Sequence, residues 1–240
     1  MTTLLFRNDP YLKTAAGMVV DLTPEGGIVP DASIFYPRGG GQPGDSGRVF
    51  WEGGDCEIAS TVKAPEGEGV VLVPAEAAPL PPKGAAIEMA LDWDRRHRFM
   101  RMHTALHLLS VVVPLPVTGG QIGVDKSRLD FDMPDVIHDR EYIQAKLGQL
   151  IDGDHPVSED WIDEAELAAN PSLVKTLSVQ PPRGAGRIRL VRIGASESPV
   201  DLQPCGGTHV RSTAEIGRVR VGKIENKGRS NRRISITLDE

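Results

Sequence analysis

The sequence predicts an α+β protein in two parts, a small N-terminal β-barrel-like domain at residues 1–91 and a C-terminal α+β domain at 92–240. Three observations carry this. Short β-type runs separated by Gly, Pro and Asp fill the first part of the chain. At Asp92 the pattern changes to a helical apolar period. Beyond it, helices and strands cluster without regular βαβ alternation.

The N-terminal runs "AGMVVDL", "ASIFY", "GRVFW", "EIASTV", "GVVLV" and "AIEMAL" read as strands, each bounded by turn residues, as in a small barrel or sandwich. Between the last two, "PAEAAPLPPKG" is too proline-rich for regular structure and reads as an exposed loop. "DWDRRHRFMRMHTALHLLSVVV" then predicts a long helix, with an Asp at its start and Pro114 as its stop. "DREYIQAKLGQLI" predicts a second helix, and "DEAELAAN", ending before Pro171, a shorter third. "RIRLVRI", "GRVRVGKIE" and "RRISITL" read as C-terminal strands.

The 240 residues are 40% hydrophobic and 25% charged, the composition of a globular chain. "MTTLLFRNDPYLK" has no secretory leader pattern. The longest apolar run, "LLSVVVPLPV", is far short of the ~20 residues that cross a bilayer, so no membrane association is expected. Two cysteines, Cys56 and Cys205, make no disulfide framework, and a reducing cytoplasm is the expected compartment. The net charge of −6 speaks against generic nucleic-acid binding. Yet Arg218 to Arg233 holds seven basic residues and one acidic residue, a strip able to meet phosphates or simply a solvated strand face.

In "HTALH", His103 and His107 stand four apart and project from one helix face, close enough to share a metal ion. The spacing is that of a metalloprotease helix, but Thr104 stands where the general-base Glu is needed, which disfavours peptide hydrolysis. In "CGGTH", Cys205 and His209 are also four apart, and the two intervening glycines point to a tight turn that brings both side chains to one place. A Cys–His nucleophile pair explains two of these four residues. Three His and one Cys form a donor set that suits Zn²⁺ and explain all four.

"GGGQPG" matches the letters of the dinucleotide fingerprint, but a turn and a strand follow it rather than a helix, and no P-loop Lys is present. No nucleotide cofactor is expected. A loop of bare backbone, Gly39 to Gly41 flanked by Arg38 and Gln42, can approach a sugar-phosphate closely or serve as a tight hairpin between two strands.

Taken in order, these motifs resemble a known family. "RMHTALHLL" with a distant "CGGTHV" resembles the editing domain of alanyl-tRNA synthetase and the free-standing AlaX-type alanyl-tRNA editing proteins. "FYPRGGGQPGDSG" is similar to the glycine-rich motif of the longer free-standing members. "GGQIGVDKSRLDFDM" and "KIENKGRSNRRISI" are similar to the family's segments after the first helix and at the C-terminus. The resemblance implies an N-terminal β domain and a zinc-containing editing domain. It implies trans hydrolysis of the ester joining the wrong amino acid, chiefly serine and sometimes glycine, to tRNA(Ala). It places zinc on His103, His107, Cys205 and His209, and Gln121 in the amino-acid pocket. Many relatives have a hydroxyl residue where this chain has Leu106, so Thr104 or Thr208 is expected to take that role. Arg38, Gly39, Gly40, Gly41, Gln42, Lys227, Arg229, Arg232 and Arg233 are the expected tRNA contacts. Two other readings are an RNA-binding module with a purely structural zinc and a zinc-dependent hydrolase of small esters.

Overall fold

A computed structural model describes residues 2–65, 69–75, 78–177 and 186–239. It is a mixed helix-and-strand protein with a closed barrel and further sheets. Two compact units, Met1–Arg98 and Phe99–Glu240, divide it within the first long helix.

The strands of the first unit are β1 (Thr3–Leu4), β2 (Thr14–Leu22), β3 (Ile28–Pro30), β4 (Ala32–Ser33), β5 (Gly47–Trp51), β6 (Gly54–Lys63), β7 (Val70–Pro74) and β8 (Ala86–Leu91). Six of them close into a barrel in the order β2-β3-β7-β6-β5-β8, while β1 and β4 form a small parallel pair. Inward positions such as Val19, Val49, Ile58, Leu72, Ile87 and Met89 are buried, and closure leaves these six strands without free edges. The expected strand "ASIFY" pairs only at Ala32–Ser33; Ile34 and Phe35 instead fill the core with no exposed surface.

The glycine-rich loop is a tight reversal. Gly39 and Gln42 exchange backbone hydrogen bonds of 3.0 and 2.9 Å, and Gly40 and Gly41 between them both have positive φ, 58° and 82°. Such a pair of dihedrals belongs to the primed hairpin turns and favours glycine. A Cβ at Gly44 would lie 2.0 Å from the Thr61 carbonyl oxygen, so only glycine fits there. The hairpin reading of the motif thus describes its geometry.

Behind this loop Arg96 is fully buried against Asp45, itself 1% exposed. Arg96 Nε donates to both Asp45 oxygens at 3.1 and 2.9 Å, and its terminal nitrogens also reach the Pro10 and Ile34 carbonyls at 2.8 and 2.7 Å. Nearly every donor of the guanidinium fork is therefore used.

The helix α1 (Trp93–Val112), whose residues from Phe99 belong to the second unit, ends just before Pro114, as expected. From Phe99 onward it is buried almost all round, by Phe99, Met100, Met102, Ala105, Leu106, Leu108 and Leu109. A four-stranded sheet follows the order β14-β15-β10-β9, built from β9 (Val117–Gln121), β10 (Lys126–Asp132), β14 (Val219–Asn226) and β15 (Asn231–Leu238). A three-stranded sheet joins β11 (Val157–Asp163), β12 (Arg187–Gly194) and β13 (Pro199–Pro204) in that order. Asp139 caps α2 (Arg140–Asp152), which packs on β14: the Gln144 amide donates to the Val219 carbonyl and accepts from the Val221 N–H, both at 2.7 Å. Asp163 and Glu166 form a reciprocal capping box at α3 (Glu164–Ala169).

Candidate metal centre

The middle of α1 and the loop after β13 meet. His103 and His107 leave the helix on one face, and Cys205 and His209 face them, so that one ligand atom from each of the four lies within 4.8 Å of the others. The sulfur of Cys205 is 3.4 Å from His103 Nε2 and 3.3 Å from His209 Nε2. The three imidazole centroids are 4.2 to 5.2 Å apart.

Two rings are oriented from behind. His107 Nδ1 lies 2.9 Å from the Asp201 carboxylate. His209 Nδ1 lies 3.1 Å from Thr104 Oγ1, whose one hydroxyl hydrogen goes to the Met100 carbonyl at 3.0 Å. With its hydrogen committed, Thr104 accepts from His209 Nδ1–H. Both arrangements put the proton on Nδ1 and leave Nε2 as a donor atom toward the cluster.

The electrostatics agree. Burial would raise the Cys205 thiol, but the charges of His103 and His209 outweigh it and hold the group well below its ordinary value. Burial opposes a charge on His107, yet the hydrogen bonds it donates to Asp201 and Cys205 raise it to about 9. Burial would likewise raise Asp201, which the His107 contact instead lowers to about 2. His209 is driven well below its ordinary value, first by burial and then by the charge on His103. Thiolate and imidazoles thus answer one another's charge, and a metal cation bound here would displace the imidazole protons. Three imidazoles and one thiolate fit Zn²⁺ by donor type, and the hydrogen bonds behind them are those of orienting partners.

The "CGGTH" loop owes its shape to an arginine rather than to left-handed glycines, since neither Gly206 nor Gly207 has a positive φ. Arg189 Nη1, on β12, donates to the Cys205 and Gly207 carbonyls at 2.7 and 2.9 Å. The Gly207 N–H approaches the Cys205 sulfur at 3.5 Å. Sequence reasoning missed Arg189, Asp201, Lys175 and Gln203, none of which stands at ligand spacing.

The remaining expected site residues fall elsewhere. Thr104 is completely buried, and its hydroxyl is taken up by Met100, His209 and the Val210 N–H, so it holds a ring rather than facing a ligand. Thr208 is 1% exposed, next to His209. Gln121 is exposed at the end of β9, its carbonyl 3.4 Å from Arg128 Nε. Leu106 is buried in the apolar body of α1. In the basic strip, Arg233 is bound to Asp130 at 2.7 and 2.9 Å, Arg232 to the Gly228 and Pro134 carbonyls, and Lys227 to Glu225. Arg229 is exposed in the β14–β15 turn. In the first unit Arg38, Gly40 and Gly41 are exposed and Gly39 is half-buried, but Gln42 is 1% exposed and its side chain is not offered to a ligand.

Residues 188–235, from β12 to β15 and including Cys205 and His209, match the family described as the threonyl and alanyl tRNA synthetase second additional domain. That segment supplies two of the four cluster residues, while His103 and His107 lie outside it. Over its length the chain is 34% identical to the alanyl-tRNA editing protein AlaX-M of Methanosarcina acetivorans, covering 99% of each. It is 32% identical to AlaX-L of Pyrococcus horikoshii, covering 99% of this chain and 58% of that one. Alanine–tRNA ligase of Pyrobaculum neutrophilum is 32% identical over 93% of this chain and 25% of its own. The chain belongs to the AlaX family of alanyl-tRNA editing proteins.

Proposed function

We propose that this protein is an aminoacyl-tRNA deacylase that clears mischarged tRNA(Ala) in trans, chiefly Ser-tRNA(Ala) and also Gly-tRNA(Ala), in the cytoplasm. The observation that carries the reading is the intact cluster of His103, His107, Cys205 and His209 in a chain that aligns end to end with AlaX-M. In this reading residues 92–240 are the editing domain with one Zn²⁺, and residues 1–91 help to seat the tRNA. No nucleotide is consumed.

The chemistry asked of the site is modest. A synthetase pocket separates alanine from serine poorly, because an added hydroxyl is hard to exclude by size; a second, hydrolytic site removes the errors. Zinc, when held by these four side chains, supplies Lewis acidity toward the oxygens of an already reactive ester. Cys205 supplies the anionic donor, Asp201 and Thr104 keep His107 and His209 turned toward it, and Arg189 fixes the loop carrying Cys205 and His209. Gln121 is assigned to reading the amino acid, since Thr104 is engaged and Leu106 is apolar.

Incubation with Ser-, Gly- and Ala-tRNA(Ala) tests this. Ser-tRNA(Ala) should lose its ester faster than Ala-tRNA(Ala) by roughly one to two powers of ten, as a polar group that the bound substrate covers and alanine leaves unpaired costs about 1–3 kcal/mol. Gln121→Ala should narrow that ratio with zinc content intact. RNA affinity without turnover of any ester would favour the RNA-binding module instead.

The exposed Arg229 is assigned to phosphate contact. Arg229→Ala should weaken tRNA binding and lower the salt slope by about one. Arg233→Ala should instead lower stability, because it strips a cation from the buried Asp130. Salt titrations of binding and urea melts separate the two effects. An unchanged salt slope in Arg229→Ala would make the strip an ordinary strand face.

A further inference from the structure

The side of His107 away from the cluster is enclosed by a closed circuit of hydrogen bonds. His107 Nδ1 meets Asp201 Oδ2 at 2.9 Å, and the Gln203 amide donates to the same oxygen at 2.7 Å. The other hydrogen of that amide reaches Ser110 Oγ at 3.3 Å, and Ser110 donates back to the His107 carbonyl at 2.7 Å. Asp201 Oδ1 is ion-paired with Lys175. Both the ring and the backbone of one ligand are thus tied to β13.

The strand itself is inverted. Asp201 and Gln203 are 3% and 7% exposed, while the apolar Val200 and Leu202 between and beside them are less buried. Turning a carboxylate and an amide inward is costly unless every donor and acceptor is met. Here the carboxylate accepts from His107, Gln203 and Lys175, and both amide hydrogens of Gln203 are used. A strand that sacrifices its apolar face to hold one imidazole is organised around that imidazole.

We infer that Asp201, supported by Gln203 and Lys175, is a positioning residue that orients His107 and thereby sets the protein's affinity for zinc. It touches neither the cluster's centre nor a substrate; it acts through His107 alone. This rests on the zinc reading above.

The test is zinc affinity of the full chain, by competition with a chromophoric chelator, read independently of deacylation. Asp201→Ala should weaken zinc binding about 10- to 100-fold, the usual effect of losing a carboxylate behind a histidine ligand. Gln203→Leu should weaken it less. In a His107→Ala background, Asp201→Ala should change affinity less than about twofold, because the ring it orients is gone. A merely structural role would lower affinity equally in both backgrounds, and that result would overturn the inference, as would unaltered affinity in Asp201→Ala. If Asp201→Ala does not fold, imidazole ¹⁵N spectra of the zinc-loaded wild-type protein decide. His107 protonated on Nδ1 and metal-bound through Nε2 supports the inference, and the opposite assignment overturns it. A wild-type protein that takes up no zinc would remove the zinc reading itself rather than the role of Asp201.

Discussion

Cys205→Ala should strip the purified protein of its metal, from roughly one Zn²⁺ per chain to a small fraction of that. Cys205 supplies the only thiolate of the four-residue cluster, held in its charged form by His103 and His209 despite burial. Without it, three imidazoles face the ion with no negative charge among them. Deacylation should fall about 10²-fold or more, since metal polarisation is worth several kcal/mol. His103→Ala should behave alike. Cys56→Ala is the control. Cys56 is 2% exposed in the barrel core and joins no metal-ligating group among the described residues, so its loss should cost about 1 kcal/mol of stability, as for a small buried group, and no zinc. Metal analysis of the three variants checks this. Zinc retained in Cys205→Ala would place the ion elsewhere.

Arg96→Met should destabilise the first unit by about 3–5 kcal/mol, the usual cost of removing one partner from a buried ion pair. The penalty arises mostly from what is left behind. Asp45 would keep a buried negative charge with the Tyr36 N–H as its remaining donor among the described residues, and the Pro10 and Ile34 carbonyls would lose the Arg96 donor. Replacing both partners, as in Asp45→Leu with Arg96→Met, should cost less than the two single losses combined, because no uncompensated charge remains. Urea denaturation followed by intrinsic fluorescence checks this. A loss under about 1 kcal/mol in Arg96→Met would mean that water or another cation already serves Asp45.

The four cluster residues were legible in the sequence because both pairs stand at four-residue spacing and "CGGTH" contains one of two cysteines. Five of the six barrel strands, all but β3, were legible for a related reason. Their inward positions are apolar and turn residues separate them, although Met18, Val20, Phe50 and Val73 are apolar and exposed. What escaped reading broke that rule. In β13 the polar Asp201 and Gln203 point inward, so its alternation carries the wrong sign for a core strand. β9 contains two glycines, and β11 is an edge strand with three acids, Glu159, Asp160 and Asp163, residue types depleted in strands. Thr104 looked like a free hydroxyl because nothing in "HTALH" announces a distant His209 as its partner. Arg233 looked available to RNA because strand register, which sets it opposite Asp130, is invisible in composition.

On the proposed function, zinc at His103, His107, Cys205 and His209 makes this chain a hydrolase of mischarged tRNA(Ala). Titrating metal-free protein with Zn²⁺ while following loss of the ester from Ser-tRNA(Ala) tests it most directly. The rate should rise in proportion to added metal and level off at one ion per chain. Full activity without metal, or no hydrolysis at any zinc loading, would contradict it.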